Sequence, residues 1–393
     1  MKLRLVTEGT TTFEAPVQDE NTKFPPGTAP IFYNTKTELS RDITVLLLSC
    51  ITPDDYLDAM AATGVRGLRV AHETRIPAII NDRNPVAVSI IKKNAKFMCG
   101  SIRITCDDAN RLMCTERFDA IDLDPFGTPV PFLDAAARAA KRYLFITATD
   151  TAPLCGAHLK AGIRRYFTTP RNTEYHAEVG LRIMMGAMAK ELVKYDRGME
   201  PILSFAKNHY FRTHIRIHSS VTAAESTMDL IGFIMQCPKC LYRTEQKGSL
   251  IPRSQTCLMC GTETEAIGPL WMGSLQNKET IITLLTKLPT MQFRTTKQID
   301  KLLRQLLAEP DTCTFYDYHI ISHNLHKSPP RMNELISGLN TLGYYTVRTH
   351  FADTGIKTTA PLLVIEEWIN TWNRKQKNHT EIDNEKKQNN YAE

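Results

Sequence analysis

The stretch Asp58-Ala-Met-Ala-Ala-Thr-Gly64-Val-Arg-Gly67 decides the fold class of this 393-residue chain. It leaves a short apolar run, turns at a glycine and enters a helical pattern. Short apolar runs and helical periods keep alternating as far as Asp150, which is typical of an α/β domain whose βαβ units form a parallel sheet. The predicted strands are Tyr56–Met60, Ala78–Ile80, Ile102–Thr105, Phe118–Leu123 and Tyr143–Thr147.

The turn that contains Gly64 is a candidate binding site, because a residue without a side chain lets the backbone approach a nucleoside. Asp58 lies within the preceding predicted strand and belongs to the same candidate site. Ala62 stands where the dinucleotide fingerprint GxGxxG has its first glycine, which argues against NAD. The alternative interpretation is an ordinary turn between a strand and a helix.

Two acidic residues follow the next two predicted strands. Asp82 comes after the second strand, where a carboxylate can accept hydrogen bonds from both hydroxyls of a ribose. Asp108 comes after the third strand, where it could meet an adenine amino group. A single loop aspartate is more often solvated than functional. Groups of this kind at consecutive strand ends nevertheless indicate a nucleoside site at the carboxyl edge of the sheet.

The most specific segment is Ile121-Asp-Leu-Asp124-Pro-Phe126-Gly-Thr-Pro129, which closes the fourth predicted strand. It combines a carboxylate, a proline of fixed φ, an aromatic ring and a glycine that permits a sharp turn. This set suits methylation of an exocyclic amine, because Phe126 can stack on a base while Asp124 accepts the hydrogens of the amine. A nitrogen that has gained a methyl group is acidic enough for an ordinary carboxylate to take its proton. The alternative is a turn that merely ends a strand.

Four of the ten cysteines form two pairs, Cys237-Pro-Lys-Cys240 and Cys257-Leu-Met-Cys260, with sixteen residues between the pairs. This spacing is typical of a four-cysteine zinc ribbon rather than of unrelated buried thiols. Four thiolates leave no open coordination position, so the zinc is predicted to be structural.

Composition sets the wider limits. Lys and Arg total 48 against 42 Asp and Glu, a net charge of +6 that gives a mild bias toward polyanions. The longest apolar stretch, residues 43–51, is far shorter than the ~20 residues of a bilayer span. The first residues lack the apolar core of a secretory signal. We therefore expect a cytoplasmic protein without a membrane partner.

A basic segment follows the fifth predicted strand and carries aromatic residues among its charges. Basic groups with interleaved aromatic rings suit an RNA backbone and an unstacked base, although a helix with one solvated face is the simpler alternative. The segment contains Lys160, Arg164, Arg165, Tyr166, Phe167 and Arg171.

The C-terminal part begins with two amphipathic helices, one from Thr296 and one opened by Pro329 and Pro330. A predicted β pair over residues 344–351 and 362–365 follows, and helices before a β ribbon resemble a winged helix. A plain α/β packing domain is the alternative. The predicted division is residues 1–229 for the sheet domain, 230–270 for the zinc ribbon, 271–368 for the winged-helix-like domain and 369–393 for a disordered polar tail.

Several segments together resemble the tRNA (guanine-26) N2-dimethyltransferase family, in an archaeal-like form. The resemblance rests first on Asp124-Pro-Phe-Gly-Thr-Pro129 and Phe132-Leu-Asp134, and it covers nearly the whole chain except the last twenty or so residues. The other matching segments are Glu8-Gly9, Phe32-Tyr-Asn34 with Arg41-Asp42, Gly64-Val-Arg-Gly67, Thr147-Ala-Thr-Asp150, Pro153-Leu-Cys-Gly156, His209-Tyr-Phe-Arg212, Arg348-Thr-His350 and Gly355-Ile-Lys-Thr358.

The resemblance implies a Rossmann-like class I methyltransferase domain that uses S-adenosyl-L-methionine to methylate N2 of a tRNA guanine once or twice. It implies that Asp124 is catalytic, and it makes Phe32 and Phe126 candidates for clamping the base. For Phe32, an apolar anchor of the N-terminal segment is the alternative role. Ser40 stands where many family members have Asn, which is a departure beside Arg41. The residues that the resemblance places at the methyl donor are Arg41, Arg66, Asp82, Asp108 and Ala109.

Two other functions are compatible with the residues. An amino-methyltransferase that acts on adenine N6 would need the same acid, proline and aromatic ring. The other is a non-catalytic protein that binds nucleic acid through a zinc ribbon and a winged helix. Such a protein would keep the ribbon but would not bind the methyl donor. The expected partner is tRNA, and the expected oligomeric state is a monomer.

Overall fold

The computed structural model describes residues 3–17, 31–248, 252 and 254–374. The strands are β1 Leu3–Glu8, β2 Thr11–Pro16, β3 Tyr56–Asp58, β4 Ala78–Asn81, β5 Ile102–Thr105, β6 Phe118–Leu123, β7 Ala140–Ala148, β8 Arg197–Lys207, β9 Tyr210–Ser219, β10 Ile231–Gln236, β11 Arg243–Lys247, β12 Glu265–Trp271, β13 Tyr316–Asp317, β14 Thr346–Arg348 and β15 Gly355–Thr358.

The α-helices are α1 Glu38–Ile51, α2 Val65–Arg69, α3 Pro85–Ala95, α4 Ala109–Thr115, α5 Val130–Ala139, α6 Thr151–Leu154, α7 Leu159–Tyr166, α8 His176–Val193, α9 Val221–Met228, α10 Lys278–Lys287, α11 Thr296–Ala308, α12 Tyr318–Asn324 and α13 Met332–Thr341. Single 3-10 turns cover Thr35–Thr37 and Leu288–Thr290, and α2 continues as a π turn over Val70–Thr74. A last helix runs over residues 362–374.

A seven-stranded sheet carries the site, in the order β5-β4-β3-β6-β7-β9-β8. The strands from β3 to β7 are parallel, and β9 lies antiparallel between β7 and β8. The chain builds outward from β3 to β5 on one side and then returns to place β6 on the other side. The order of the strands therefore reverses between β3 and β6, and open α/β sheets bind ligands at such a point.

Strand and helix formation follow the apolar pattern of the sequence. All six residues of β6 are buried, which is typical of a parallel strand covered on both faces. Helix α3 begins with Pro85 after Asn84, whose side chain accepts a hydrogen bond from the Val86 N–H and caps the helix. Helix α8 is buried on nearly every side because it lies between the sheet and the cysteine-bearing strands.

The cysteine-bearing strands form a separate sheet in the order β11-β10-β12. Its apolar side chains do not form an isolated core, because Ile234, Leu270 and Trp271 belong to the same buried cluster as Leu144 of β7 and Leu181 of α8. Helices α10 and α11 likewise pack in the cluster that contains α1. The predicted boundaries at residues 229 and 270 therefore lie within continuous cores, and they stay predictions.

A third cluster unites α12, α13 and the last helix with a small sheet in the order β13-β15-β14. The prediction of a strand over residues 362–365 is wrong, because β14 pairs with β15 and these residues open a helix. Pro361 precedes this helix, and Leu362, Ile365 and Ile369 bury one face at helical spacing. The winged-helix-like character of this region stays a prediction.

The last helix reaches residue 374, so residues 369–374 continue it rather than begin the predicted polar tail. Residues 375–393, which complete that prediction, lie outside the described residues. No helix among the described residues is both long enough and apolar enough to cross a membrane.

Candidate active site

The predicted site residues of the parallel sheet meet at one edge. In the register of the sheet, Asp58 at the end of β3 lies opposite Ile80 of β4 and Asp122 of β6. Asp82 and Asp124 directly follow β4 and β6, so their backbones lie at the same carboxyl edge. This register agrees with the predicted position of these residues at the carboxyl edge of the sheet.

Buried Asn81 ties the three loops of this edge together. Its Nδ2 donates to the carbonyl oxygens of Ala59 and Asp107, both at 3.0 Å. Its Oδ1 accepts from the hydroxyl of Thr105 at 2.8 Å and from the Asp107 N–H at 3.1 Å. One amide side chain therefore fixes the loops after β3, β4 and β5 relative to one another.

The Gly64 turn has the geometry that the sequence predicts. Gly64 has φ 76°, a left-handed conformation that favours glycine, and it is the N-cap of α2. Asp58 accepts a hydrogen bond from the Gly67 N–H at 2.9 Å and so fixes the first turn of that helix. Burial, together with the nearby carboxylate of Asp122, raises the pKa of Asp58 to about 7.

Asp82 and Asp108 both organise backbone at this edge. Asp82 accepts from the N–H groups of Ala62 at 2.7 Å and Asn84 at 2.8 Å, so it holds the glycine turn against the end of β4. Asp108 is the N-cap of α4 and accepts from the N–H groups of its first turn, and Ala109 is the buried first residue of that helix. Asp82 is partly exposed and Asp108 is exposed, so both carboxylates are open to a ligand.

A buried charge network lies beneath the switch point. Asp122 receives two hydrogen bonds from the guanidinium of Arg212, at 2.8 and 2.5 Å, and a third from the Tyr56 hydroxyl at 2.9 Å. Burial alone would raise the pKa of Asp122, but the charges of Arg212 and Arg66 lower it to about 2. Asp122 is therefore an ion-paired anion with no exposed surface.

Arg66 connects this network to the corner after β6. Its Nη1 donates to the Thr44 hydroxyl at 2.9 Å, and its Nε lies 3.7 Å from Asp122 Oδ2. Its Nη2 donates to Oδ2 of Asp124 at 2.5 Å. The Asp124 side chain is 34% exposed. Arg66 therefore fixes one carboxylate oxygen of Asp124, and Oδ1 is the oxygen that can accept from a ligand.

The corner itself presents two aromatic rings. Phe126 is 74% exposed, and its ring lies edge-on to Phe32 with 4.7 Å between the ring centroids. The turn behind it is held by Thr149, whose hydroxyl accepts from the Gly127 N–H at 2.7 Å and whose own N–H donates to the Gly127 carbonyl at 3.0 Å. An exposed ring on a fixed turn is a surface on which a planar base can stack.

Arg41 hydrogen-bonds to residues near the N-terminus rather than to this edge. Its guanidinium donates to both oxygens of the buried Glu8, at 2.8 and 2.5 Å, and also to the Thr37 hydroxyl and the Asn34 carbonyl. Burial alone would raise the pKa of Glu8, but the charges of Arg41 and Arg69 hold this pKa below its ordinary value. Arg41 thus fastens the segment that carries Phe32. The contact of Arg41 with a methyl donor stays a prediction.

The four cysteines converge as their spacing predicts. Their Sγ atoms all lie within 4.8 Å of one another, with 3.4 Å between those of Cys237 and Cys260 and 3.5 Å between those of Cys240 and Cys257. The N–H groups of Lys239 and Cys240 point at Cys237 Sγ, both at 3.4 Å. Amide groups that donate to a thiolate are typical of metal ligands, so this donor set fits a tetrahedral metal ion.

The sequence did not predict the buried residues that hold this edge in place through hydrogen bonds and ion pairs, chiefly Asn81, Asp122 and Arg212. The available signal was a charged residue inside an apolar strand, since Asp122 lies in β6 and Arg212 in β9, and both are fully buried. A buried charge is costly unless it is paired, so each such residue predicts a partner elsewhere. The sequence does not show which partner that is.

The fold and the edge residues together define a class I, S-adenosylmethionine-dependent methyltransferase. The sheet has the strand order of that class, with its one antiparallel strand next to last, and the acid and aromatic corner lies beside a glycine turn at the switch point. This agreement confirms the predicted fold class.

Comparisons with known proteins identify the family. The family model described as "N2,N2-dimethylguanosine tRNA methyltransferase" matches residues 11–370. The "tRNA (guanine(26)-N(2))-dimethyltransferase" of Methanocorpusculum labreanum is 69% identical over 375 residues, which are 95% of this chain and 99% of that protein. Its counterpart in Methanoregula boonei is 51% identical over 92% of this chain and 97% of that protein. The chain therefore belongs to the N2,N2-dimethylguanosine tRNA methyltransferase family, and the predicted family is confirmed.

A solved structure agrees with this assignment. Trm1 from Pyrococcus horikoshii, in complex with S-adenosyl-L-methionine, matches with a TM-score of 0.84 and 36% identity. The match covers 93% of this chain and 99% of that one.

Proposed function

We propose that this chain is an S-adenosyl-L-methionine-dependent tRNA (guanine-26) N2-dimethyltransferase, and that transfer takes place at the corner formed by Asp124 and Phe126. The observation that carries the proposal is this corner at the β3–β6 switch point, in a chain 69% identical to a protein of that name. Because tRNA is the proposed substrate, we place the enzyme in the cytoplasm. The monomeric state stays a prediction.

The methyl donor is proposed to bind across the loops after β3, β4 and β5. The backbone of the Gly64 turn leaves room for the donor, Asp82 accepts from its ribose hydroxyls and Asp108 faces its adenine. Asp58 keeps the turn in shape through the Gly67 N–H. Ala109 lines the adenine side without a bulky chain. The donor supplies a methyl group on a positively charged sulfur.

The target guanine has to leave its base stack before it can reach the corner, because its ring can stack on Phe126 only when its neighbours no longer cover it. This costs roughly a few kcal/mol. Phe126 and Phe32 then hold the base, and Oδ1 of Asp124 accepts a hydrogen bond from the amino group. Arg66 keeps Oδ2 occupied at 2.5 Å, so it acts as a positioning residue for Asp124. This arrangement aligns N2 with the methyl group of the donor.

In the transfer step the N2–carbon bond forms as the carbon–sulfur bond breaks, and sulfur keeps the bonding electrons. The methylated nitrogen then carries a positive charge, and its proton passes to Asp124 or to water. A second transfer repeats this step after donor exchange. No metal takes part at the corner in this scheme.

Structural zinc is proposed to be held by Cys237, Cys240, Cys257 and Cys260. It would cross-link the turn after β10 to the turn before β12, two strands that share a core with the large sheet. One zinc per chain is expected by elemental analysis. Removal by a chelator should lower the thermal midpoint, and a metal-free protein of unchanged stability would contradict the assignment.

The deciding experiment is methylation of a tRNA transcript by the purified protein with labelled S-adenosyl-L-methionine, followed by mapping of the modified nucleotide. Dimethylguanosine at position 26 is expected, and a transcript with adenine at position 26 should accept no methyl group. Methylation of that adenine would favour the adenine-N6 alternative. Failure to bind the donor in calorimetry would favour the non-catalytic nucleic-acid-binding alternative.

A further inference from the structure

Helix α7 lies in a segment that carries positive charges only. Residues 151–173 contain four Lys or Arg residues and no Asp or Glu. Arg165 pairs with Asp150 at 3.1 Å, and Arg171 pairs with Glu265 at 3.0 Å. Within the described part of the chain, Lys160 and Arg164 are exposed and have no ion-pair partner. The segment therefore offers two free positive charges.

The exposed face of α7 also carries an apolar ridge. Leu159 and Ile163 are exposed large side chains four residues apart on one side of the helix, and the exposed Phe167 follows as its C-cap. Lys160 and Arg164 repeat the same spacing beside them. Phe167 is the most exposed of the three at 79%.

Phe167 stands on a rigid base. Its φ of 50° is a left-handed conformation that is rare for an aromatic residue. The backbone next to it is fixed to β12, because Thr169 and Gly268 exchange hydrogen bonds of 2.8 and 3.2 Å and the Thr168 hydroxyl donates to the Pro269 carbonyl. The left-handed residue ends the helix, and the anchored backbone holds the exposed ring in place.

The C-terminal end of α7 lies next to the turn that carries Phe126. The Thr128 hydroxyl, two residues after Phe126, donates to the Tyr166 hydroxyl at 2.9 Å, and Tyr166 donates to Asp150 at 2.7 Å. Phe167 directly follows Tyr166 in the chain. One short hydrogen-bonded link therefore joins the turn of Phe126 to the end of α7.

We propose that this face of α7 binds the RNA strand next to the displaced guanine, with Phe167 stacked on a base and with Lys160 and Arg164 on phosphates. The inference rests on the proposed function, because it takes the occupant of the corner to be a tRNA base. Aromatic rings beside free cations suit unstacked bases and their backbone. The absence of acidic residues from 151–173 favours a polyanion over a protein partner.

The test compares α7 with a matched surface at the other edge of the sheet. Phe97 is 76% exposed and lies just beyond the C-terminal end of α3, near the exposed Lys92 and Lys96. Phe167→Ala is expected to raise KM for a tRNA transcript about tenfold, the loss of one base stack. kcat and the Kd for S-adenosyl-L-methionine should change less than twofold. Phe97→Ala should change none of these values.

Two further variants separate stacking from simple apolar contact. Phe167→Leu keeps apolar area without an aromatic face, so its KM should be as high as that of Phe167→Ala. Phe167→Tyr should recover most of the lost affinity. A leucine variant that recovers affinity as well as the tyrosine variant would overturn the stacking role.

The charges are tested by salt dependence. For the double variant Lys160→Gln/Arg164→Gln, the slope of log Kd for tRNA against log salt concentration should fall by about 1.5, as expected for two lost phosphate contacts. Lys92→Gln/Lys96→Gln should keep the slope of the unaltered protein. An equal fall in both double variants would overturn the inference, because it would reflect total charge alone.

The remaining outcomes separate this inference from the proposed function. If the unaltered protein methylates guanine 26 but Phe167→Ala keeps its KM, the α7 surface is overturned and the function stands. If the unaltered protein binds tRNA without methylating it, the proposed function fails. If Phe167→Ala changes the oligomeric state in light scattering and leaves KM unchanged, the ridge is a protein contact and the inference is overturned.

Discussion

The donor half and the base half of the candidate active site are built in different ways. On the donor side, the loops after β3, β4 and β5 are joined by the four hydrogen bonds of buried Asn81, and Asp58 and Asp82 bond to the backbone of the glycine turn. On the base side, Phe126 is 74% exposed and Asp124 has one arginine partner.

The difference matches the two ligands of the proposed reaction. A small donor gains affinity when its site is already ordered, because little conformational entropy is lost on binding. A tRNA base arrives with a large partner that covers the corner itself, so the base half can stay open until then. Four substitutions test this division.

Asp124→Asn should separate catalysis from donor binding. The variant keeps a hydrogen-bond acceptor but loses the negative charge that aligns the amine and takes its proton, so single-turnover transfer to tRNA should fall about 10³-fold. Calorimetry should show donor binding within a few-fold of the unaltered protein. Asp134→Asn, an exposed aspartate of α5, serves as the control. Retained turnover in Asp124→Asn would remove this residue from the mechanism.

Asp58→Asn should change how stability depends on pH. The pKa of Asp58 is raised to about 7 in the folded chain, while an unfolded aspartate titrates near pH 4. Its carboxyl therefore contributes full stability below pH 4 and loses that contribution as pH rises toward 7. The expected slope is at most about 1.4 kcal/mol per pH unit.

The asparagine variant lacks this proton, so its stability relative to the unaltered protein should rise between pH 4 and pH 7. Urea unfolding across that range measures the difference. Asp134→Asn should not reproduce the trend, because the pKa of Asp134 is lowered rather than raised. A flat difference for Asp58→Asn would show that Asp58 is ionised in the folded state.

Asn81→Ala should weaken the donor half specifically. The loss of four hydrogen bonds from a buried amide should lower the free energy of unfolding by about 3 kcal/mol and loosen three loops at once. Donor affinity should fall in parallel. Asn94→Ala is the matched control, because Asn94 is equally buried but bonds to Glu14 away from this edge. If both variants bind the donor equally well, Asn81 is only a stability residue.

Phe126→Ala should give the smallest effect and leave the donor half unchanged. Loss of one base stack should lower kcat/KM for tRNA about tenfold, with an unchanged Kd for the donor. Because Phe126 is exposed, its removal should leave the thermal midpoint within a degree or two of the starting value. A weakened donor Kd in this variant would show that the two halves are coupled.

The sequence predicted where the strand-end residues lie on the sheet because its signals are local, while their binding of the donor stays a prediction. A glycine turn after an apolar strand and an acid after the next strand are contiguous patterns, and the parallel order of strands brings them together. The cysteine pairs are local in the same sense. Each pair lies within a CxxC segment of four residues, and the site forms when these two segments come together.

The supports beneath the site were not predictable in this way. The bond between Arg212 and Asp122 joins residues 90 positions apart, and Glu8 meets Arg41 and Arg69 across 33 and 61 positions. Burial forces each charge to find a partner, but only the assembled fold determines which one. The strand prediction for residues 362–365 was wrong for a different reason. A short apolar run suits a strand and a helix equally well until its continuation is considered.

The pairing of Asp122 with Arg212 has a consequence for the order in which the protein matures on the ribosome. Residues 56–148 contain every parallel strand, yet the cation that neutralises Asp122 arrives only when β9 has left the exit tunnel. Until then the basic partner of Asp122 is Arg66, whose Nε lies 3.7 Å from Asp122 Oδ2. A nascent chain that stops short of residue 212 therefore holds a sheet in which Arg66 alone faces both Asp122 and Asp124, and it should stay loosely packed until the β8–β9 hairpin docks.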